Sequence, residues 1–254
     1  MVVKWPRFAF EKFPGADVRL GTQMKSVGEA MSIGRCFAEA LQKAARSLET
    51  GKLGFESLLD RVDYRRLTTV PQTGRNLKNE APPEVRVEPP LPPAEKAEIR
   101  QTLAGLIGTA TAERLFHVGD ALRMGLSLEE VHRLTRIDPW FLREMQRILD
   151  QEKKLQLAPK LDADLLWESK RLGFGDAQIA RLRQNSGNPI SELELRKLRV
   201  GYGKVPVYGR VDTCAAEFVA RTPYLYSTYE TESEAEISDR RKVIILGGGP
   251  NRIG

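Results

Sequence analysis

The chain has 254 residues, 41 % hydrophobic and 29 % charged, with a formal net charge of +6, which gives room for one large or two small domains of ordinary composition. The charge is mixed, with 13 basic and 9 acidic side chains between Arg143 and Lys204. This argues against a nucleic-acid groove, which needs a dense basic run with interleaved aromatics. The sequence has no run of eighteen apolar residues to span a membrane, and Cys36 and Cys214 are too few for a disulfide framework or a cysteine-rich metal site.

In chain order, Val2-Val3-Lys4-Trp5 reads as a strand that Pro6 limits, and MVVKWPRFAFEKF is too broken by charge to be a signal peptide. Pro14-Gly15 is a turn, and Gln23 to Glu29 reads as a loop or strand end. The spacing of Phe37, Leu41, Ala44, Ala45 and Leu48 predicts an amphipathic helix over Ile33 to Leu48, ended by Gly51, with Cys36 as a small buried residue beside it. Residues 81 to 93 hold six prolines in thirteen positions. They favour extended polyproline II and an exposed linker, and a docking motif for proline-binding domains is a second reading.

From about Pro93 to Gly203 the chain reads as short amphipathic helices. One opens at Thr111-Ala112-Glu113-Arg114, carries Leu115, Val118, Ala121 and Leu122, and stops at Gly125. Ser127 with Glu130 is a capping box for the next. Asp138-Pro139 starts a longer helix that is expected to bury Trp140, Phe141, Met145, Ile148 and Leu149, in the core or at a subunit interface, and to continue toward Leu155. Asp162 caps a helix with Leu165, Leu166 and Trp167 that Gly173 ends. Asp176 to Arg183 and Ser191 to Arg199 are two more. Helices this short must pack on one another. Val205 to Tyr208 and Pro223 to Ser227 lean toward β structure, and acidic residues 230 to 239 form a solvated connector. Lys242 to Leu246 has the pattern of a buried strand running into Gly247-Gly248-Gly249.

A strand ending in glycines is how many α/β domains begin a phosphate-facing turn, because glycine lets the backbone approach an anion and the next helix donates free N–H groups. Gly247, Gly248 and Gly249 are therefore candidate nucleotide-binding residues, although no helix follows before Gly254. The expectation is a chain cut from something longer. His117 and His132 lack partners at metal-ligand spacing and read as packing or surface residues. Glu113 with Asp120, and Glu129 with Glu130, are pairs that charged helix faces produce routinely. The sequence shows no P-loop, nucleophile elbow or zinc motif, so no catalytic or metal residue is assigned.

Several strings together resemble the large chains of glutamine-dependent carbamoyl-phosphate synthases: VKWPRFAFEKFPGAD, RLGTQMKSVGEAMSIGR, ALRMGLSLEEVHRLTRIDPWFL, KRLGFGDAQIA, ELRKLR, PVYGRVDTCAAEF, YLYSTYE and VIILGGGPNRIG. The resemblance implies a mainly α fold: a helical oligomerisation and connection domain at 94–204, flanked by partial α/β segments. Residues 1–56 would end a first ATP-grasp half, 57–93 would be a proline-rich linker or insertion, and 205–254 would lead into the second half as its pre-ATP-grasp segment. It implies a cytoplasmic ligase of arginine and pyrimidine biosynthesis, making carbamoyl phosphate from bicarbonate and glutamine-derived ammonia. ATP, Mg or Mn and potassium would serve the parent enzyme, with none of their binding residues on this chain. The implied partners are the remainder of the large chain, a glutaminase small chain and a second copy bound through the helical domain, with no nucleic acid and no membrane. A stand-alone helical scaffold is the alternative reading, and a nucleotide-binding protein using Gly247 to Gly249 is a third.

Overall fold

The computed structural model describes residues 1–59, 92–184 and 186–247. Strand β1 (Val2–Arg7) pairs antiparallel with β2 (Gly28–Ile33), Trp5 opposite Ala30. Pro6 does not end β1: it lies opposite Glu29. In a two-stranded ribbon each strand is an edge, so a missing N–H can face outward. Helix α1 (Phe37–Ser47) starts four residues later than expected because Ile33 is taken by pairing with Val2. Glu39, in its first turn, reaches back to accept the Arg35 N–H at 2.6 Å.

Helix α2 (Pro93–Gly108) opens the stretch read as helical, although the sequence singled out no individual helix before Thr111 and left Pro93 at the linker's end. Proline fits the first helical position, where no N–H is needed. Ile99, Leu103, Leu106 and Ile107 form its buried stripe. The rest of the linker up to Leu91 lies outside the described residues, but for its first three: Leu58 is 1 % exposed and belongs to the core.

Helix α3 (Arg114–Arg123) begins after a turn at Thr111–Glu113 and buries Phe116, Val118, Ala121 and Leu122. The Arg114 guanidinium donates to Ile107 O and Thr135 O, both at 2.8 Å. It thereby serves carbonyls near the C-terminal ends of two helices, where they lack helical partners. Helix α4 (Leu128–Thr135) has the full Ser127–Glu130 capping box. Asp138 accepts Trp140 N at 2.8 Å to start α5 (Pro139–Leu157), and Asp162 accepts Leu165 N at 2.8 Å to start α6 (Ala163–Arg171). Helix α7 (Asp176–Arg183) follows, and α8 (Glu192–Gly201) carries a second capping box from Ser191 and Glu194. The ribbon β3 (Val207–Arg210) with β4 (Leu225–Thr228) completes the order, Val207 opposite Thr228.

One core joins these pieces. Trp5, Ala30, Leu41, Phe55 and Leu58 share it with Leu103, Phe116, Val131, Ile148, Leu166, Ile179 and Leu195. Trp5 stacks on Phe116 at 5.2 Å between ring centroids, and Phe55 on Phe116 at 5.9 Å. The first 59 residues are thus packed into the helical module.

Lys242 to Leu246 departs from the expectation of a buried strand. Ile244 and Ile245 are 84 % and 89 % exposed, without secondary structure. A strand is stabilised by pairing, and among the described residues none lies beside this segment.

Candidate junction and exposed aromatic surface

Three polar knots tie the flanking segments to the helices. In the first, Gln42 of α1 accepts Gln178 Nε2 at 2.8 Å and Phe55 N at 3.1 Å, and donates to Leu172 O at 3.3 Å. Both glutamine side chains are buried, so each amide must find protein partners. Gly173 packs beside them with φ +91°, and a Cβ there would sit 2.8 Å from the Glu39 Cα. Only glycine combines that backbone with that approach.

In the second, Arg123 of α3 donates to both carboxylate oxygens of Glu152 in α5, at 2.9 and 2.8 Å, to Asp120 at 3.0 Å, and to Phe55 O at 2.8 Å. Asp120 also accepts Leu58 N at 2.9 Å. Burial alone would lower the pKa of Arg123, but the charges and hydrogen bonds of Glu152 and Asp120 outweigh it and hold the guanidinium charged. This two-pronged pairing is the strong form of the arginine–carboxylate contact.

In the third, Asp176 accepts Lys170 Nζ at 2.7 Å and Arg199 Nη2 at 2.9 Å. Burial raises the Asp176 pKa, but the bond from Arg199 and the Lys170 charge bring it below the usual value. Burial pushes Lys170 down to about 8 against the pull of Asp176. The Tyr229 ring lies over this pair, with Lys170 Nζ 5.0 Å and Arg199 Cζ 5.5 Å from its centroid and Trp167 edge-on at 6.3 Å. Arg171 adds an ion pair to Glu230 at 3.0 Å. The segment following β4 is thereby pinned to α6 and α8.

Trp140 and Phe141, expected in the core or at a subunit interface, are 40 % and 41 % exposed, so they are not core residues of this chain. The buried seam of α5 is Leu142, Met145, Ile148, Leu149 and Leu155. The first turn lies at the edge of that packing and meets Phe37, the first residue of α1. Phe37 touches Trp140 and Phe141 edge-on at 5.4 Å each, and those two rings meet at 5.0 Å.

The other sequence candidates take structural places. His117 is 8 % exposed, and burial pushes its imidazole down to about 4. His132 Nδ1 lies 2.7 Å from Ile137 O, and Glu130 is spent on its capping box. Cys36, only half-buried, precedes α1 with its Sγ 3.7 Å from Arg171 O, and Cys214 is a free thiol. Gly247 is exposed, while Gly248 and Gly249 lie outside the described residues. Among the described residues, no group of three or more His, Cys, Asp or Glu is placed to hold a metal ion, and no helix is long and apolar enough to cross a membrane.

A family model for the carbamoyl-phosphate synthetase large chain, oligomerisation domain, matches residues 29–79 and 85–203. The chain belongs to this family. Among curated relatives named carbamoyl phosphate synthase large chain, that of Pseudomonas aeruginosa is 45 % identical over 256 residues, that of Brucella melitensis biotype 1 is 43 % over 261, and that of Xylella fastidiosa is 47 % over 256. Each alignment takes in 100 % of this chain but only 19–20 % of the relative, so the chain spans about a fifth of their length. The oligomerisation-domain match begins within β2 and ends after α8. It takes in polar residues of all three knots, among them Gln42, Asp120, Arg123, Asp176 and Arg199. Periodicity could not find these, because it registers apolar residues. Their signal in the sequence is weaker: a charged or amide side chain on an otherwise apolar helix face, as Asp120 is between Val118 and Ala121.

Proposed function

We propose that the chain is a segment of a carbamoyl-phosphate synthase large chain and serves as its mechanical centre, holding two synthetase halves in register and associating with a second copy. The observation that carries this reading is the family match to an oligomerisation domain, on a chain that covers a fifth of its relatives. The three knots support the connecting role, because they fasten residues on both sides of the helices to the helices themselves. In this reading the parent enzyme is a cytoplasmic ATP-grasp ligase that makes carbamoyl phosphate from bicarbonate and glutamine-derived ammonia, with a glutaminase small chain as partner. ATP would supply the phosphoryl groups, with divalent metal and potassium. The described residues do not fit a metal ion, having no clustered ligands, so no step is assigned to them. The glycine turn at 247–249 would face nucleotide only in the company of further chain. On its own the 254-residue chain would then be inactive.

Two measurements test this. Intact mass of the native polypeptide should greatly exceed 28.5 kDa; a native product of that size would favour a stand-alone helical scaffold. Sedimentation velocity over a dilution series should show at least a dimer at tens of micromolar, an affinity on the order of ordinary interfaces. A folded monomer at every concentration would remove the association role and leave the connecting one.

A further inference from the structure

The ring cluster of Phe37, Trp140 and Phe141 sits at the margin of the core: Phe37 packs against it, while Trp140 and Phe141 lie outside it. Three aromatic rings in mutual contact, two of them about 40 % exposed, are the kind of surface that anchors protein contacts. Its position narrows what covers it. The Met1 amino group donates to Gly34 O at 2.8 Å and Gly34 N to Met1 O at 3.0 Å, which brings residue 1 to the turn leading into Phe37. Lys43 of α1 donates to Ile33 O at 2.9 Å and to Ser227 O at 2.5 Å, so β4 reaches the same helix. The turn after the first ribbon and strand β4 thus both meet α1, the helix that carries Phe37. The area on offer is small. A fully buried ring covers about 150–250 Å², so these three present roughly 250 Å² together, whereas a free partner needs about 800 Å² per side. A tethered partner meets an effective concentration in the millimolar range, and a small patch then suffices.

We propose that the Phe37–Trp140–Phe141 cluster is the seat on which an apolar surface from the rest of the same large chain docks in cis. This rests on the reading that the chain is a segment of such a large chain. The rings set the angle between that part and the helical module, since edge-to-face contacts are directional.

The test is oxidative footprinting of Trp140 and Phe141, in the 254-residue chain and in the full-length large chain, each over a hundredfold dilution series. The expected result is a rate of modification at both residues at least fivefold lower in the full-length chain and independent of concentration. Equal rates in the two proteins would overturn the proposal. Protection that disappears on dilution would also overturn it, assigning the rings to a second copy. Intact mass of the native polypeptide separates the two levels. A native chain of 254 residues would sink both the segment reading and the docking, whereas a long native chain with freely oxidised Trp140 would sink the docking alone.

Discussion

The backbone N–H of Leu58 is held by the carboxylate of Asp120 at 2.9 Å, in a region where both residues are at most 1 % exposed. The same carboxylate balances Arg123, so one side chain both fixes the chain after α1 and completes the charge pairing between α3 and α5.

Asp120→Ala should therefore cost about 3–5 kcal/mol, because it leaves a buried amide without an acceptor and a buried guanidinium with one carboxylate instead of two. Asp120→Asn keeps an acceptor for Leu58 and should cost less. Urea unfolding of both variants checks the order, and an equal loss would show that the Leu58 bond contributes nothing.

His117 makes stability depend on acid. Burial, helped by the Lys52 charge and opposed by that of Asp120, pushes its imidazole down to about 4 in the folded protein against 6.5 when free. The unfolded chain takes up the proton first as pH falls. Stability is therefore full above pH 6.5 and is lost between 6.5 and about 4, by on the order of 3 kcal/mol. Urea midpoints from pH 7.5 to 4 should fall for the wild type and fall less for His117→Gln. Parallel slopes would remove His117 as the cause.

Trp140→Ala should cost about 1–2 kcal/mol in the 254-residue chain, since the ring is 40 % exposed and its aromatic contacts are Phe37 and Phe141. Ile148→Ala, at a fully buried site, should cost about 2–5 kcal/mol. Thermal melts of the two variants decide it. A larger loss from the tryptophan would mean that its face is covered.

Tyr229→Ala should free the ribbon of β3 and β4 without unfolding the helices. The ring's partners, Lys170, Arg199 and Trp167, all belong to the helical side. Proteolysis at 211–224 should speed up severalfold while the main thermal transition moves little. Unchanged cleavage would show that the ties from Lys43 to Ser227 O and from Arg171 to Glu230 hold the ribbon without the ring.

Local chemistry was legible. The caps at Ser127, Asp138, Asp162 and Ser191 are satisfied within a few residues, so the sequence contains the whole interaction. Helix α2 lies within the stretch read as helical but was not singled out, because the prolines before it read as a breaker, although Pro93 suits a helix start and the Ile99–Leu103–Leu106–Ile107 stripe was there to be seen. Trp140 and Phe141 were misplaced for another reason: periodicity tells which residues share a face, not where the neighbouring helix ends. Of the glycine candidates, Gly247 alone falls within the described residues, at an exposed position.

The stacking of Trp5 on Phe116 carries a cost during synthesis. The first ribbon and α1 leave the ribosome before α3 has been translated, so Trp5 at first has no ring to cover it. Lys43 waits longer still for Ser227. Contacts this distant in the chain close late, and until they do the ribbon's tryptophan stands open to other chains. Slowing translation between residues 59 and 116 should lengthen that interval and increase the demand for a chaperone that shields apolar surface.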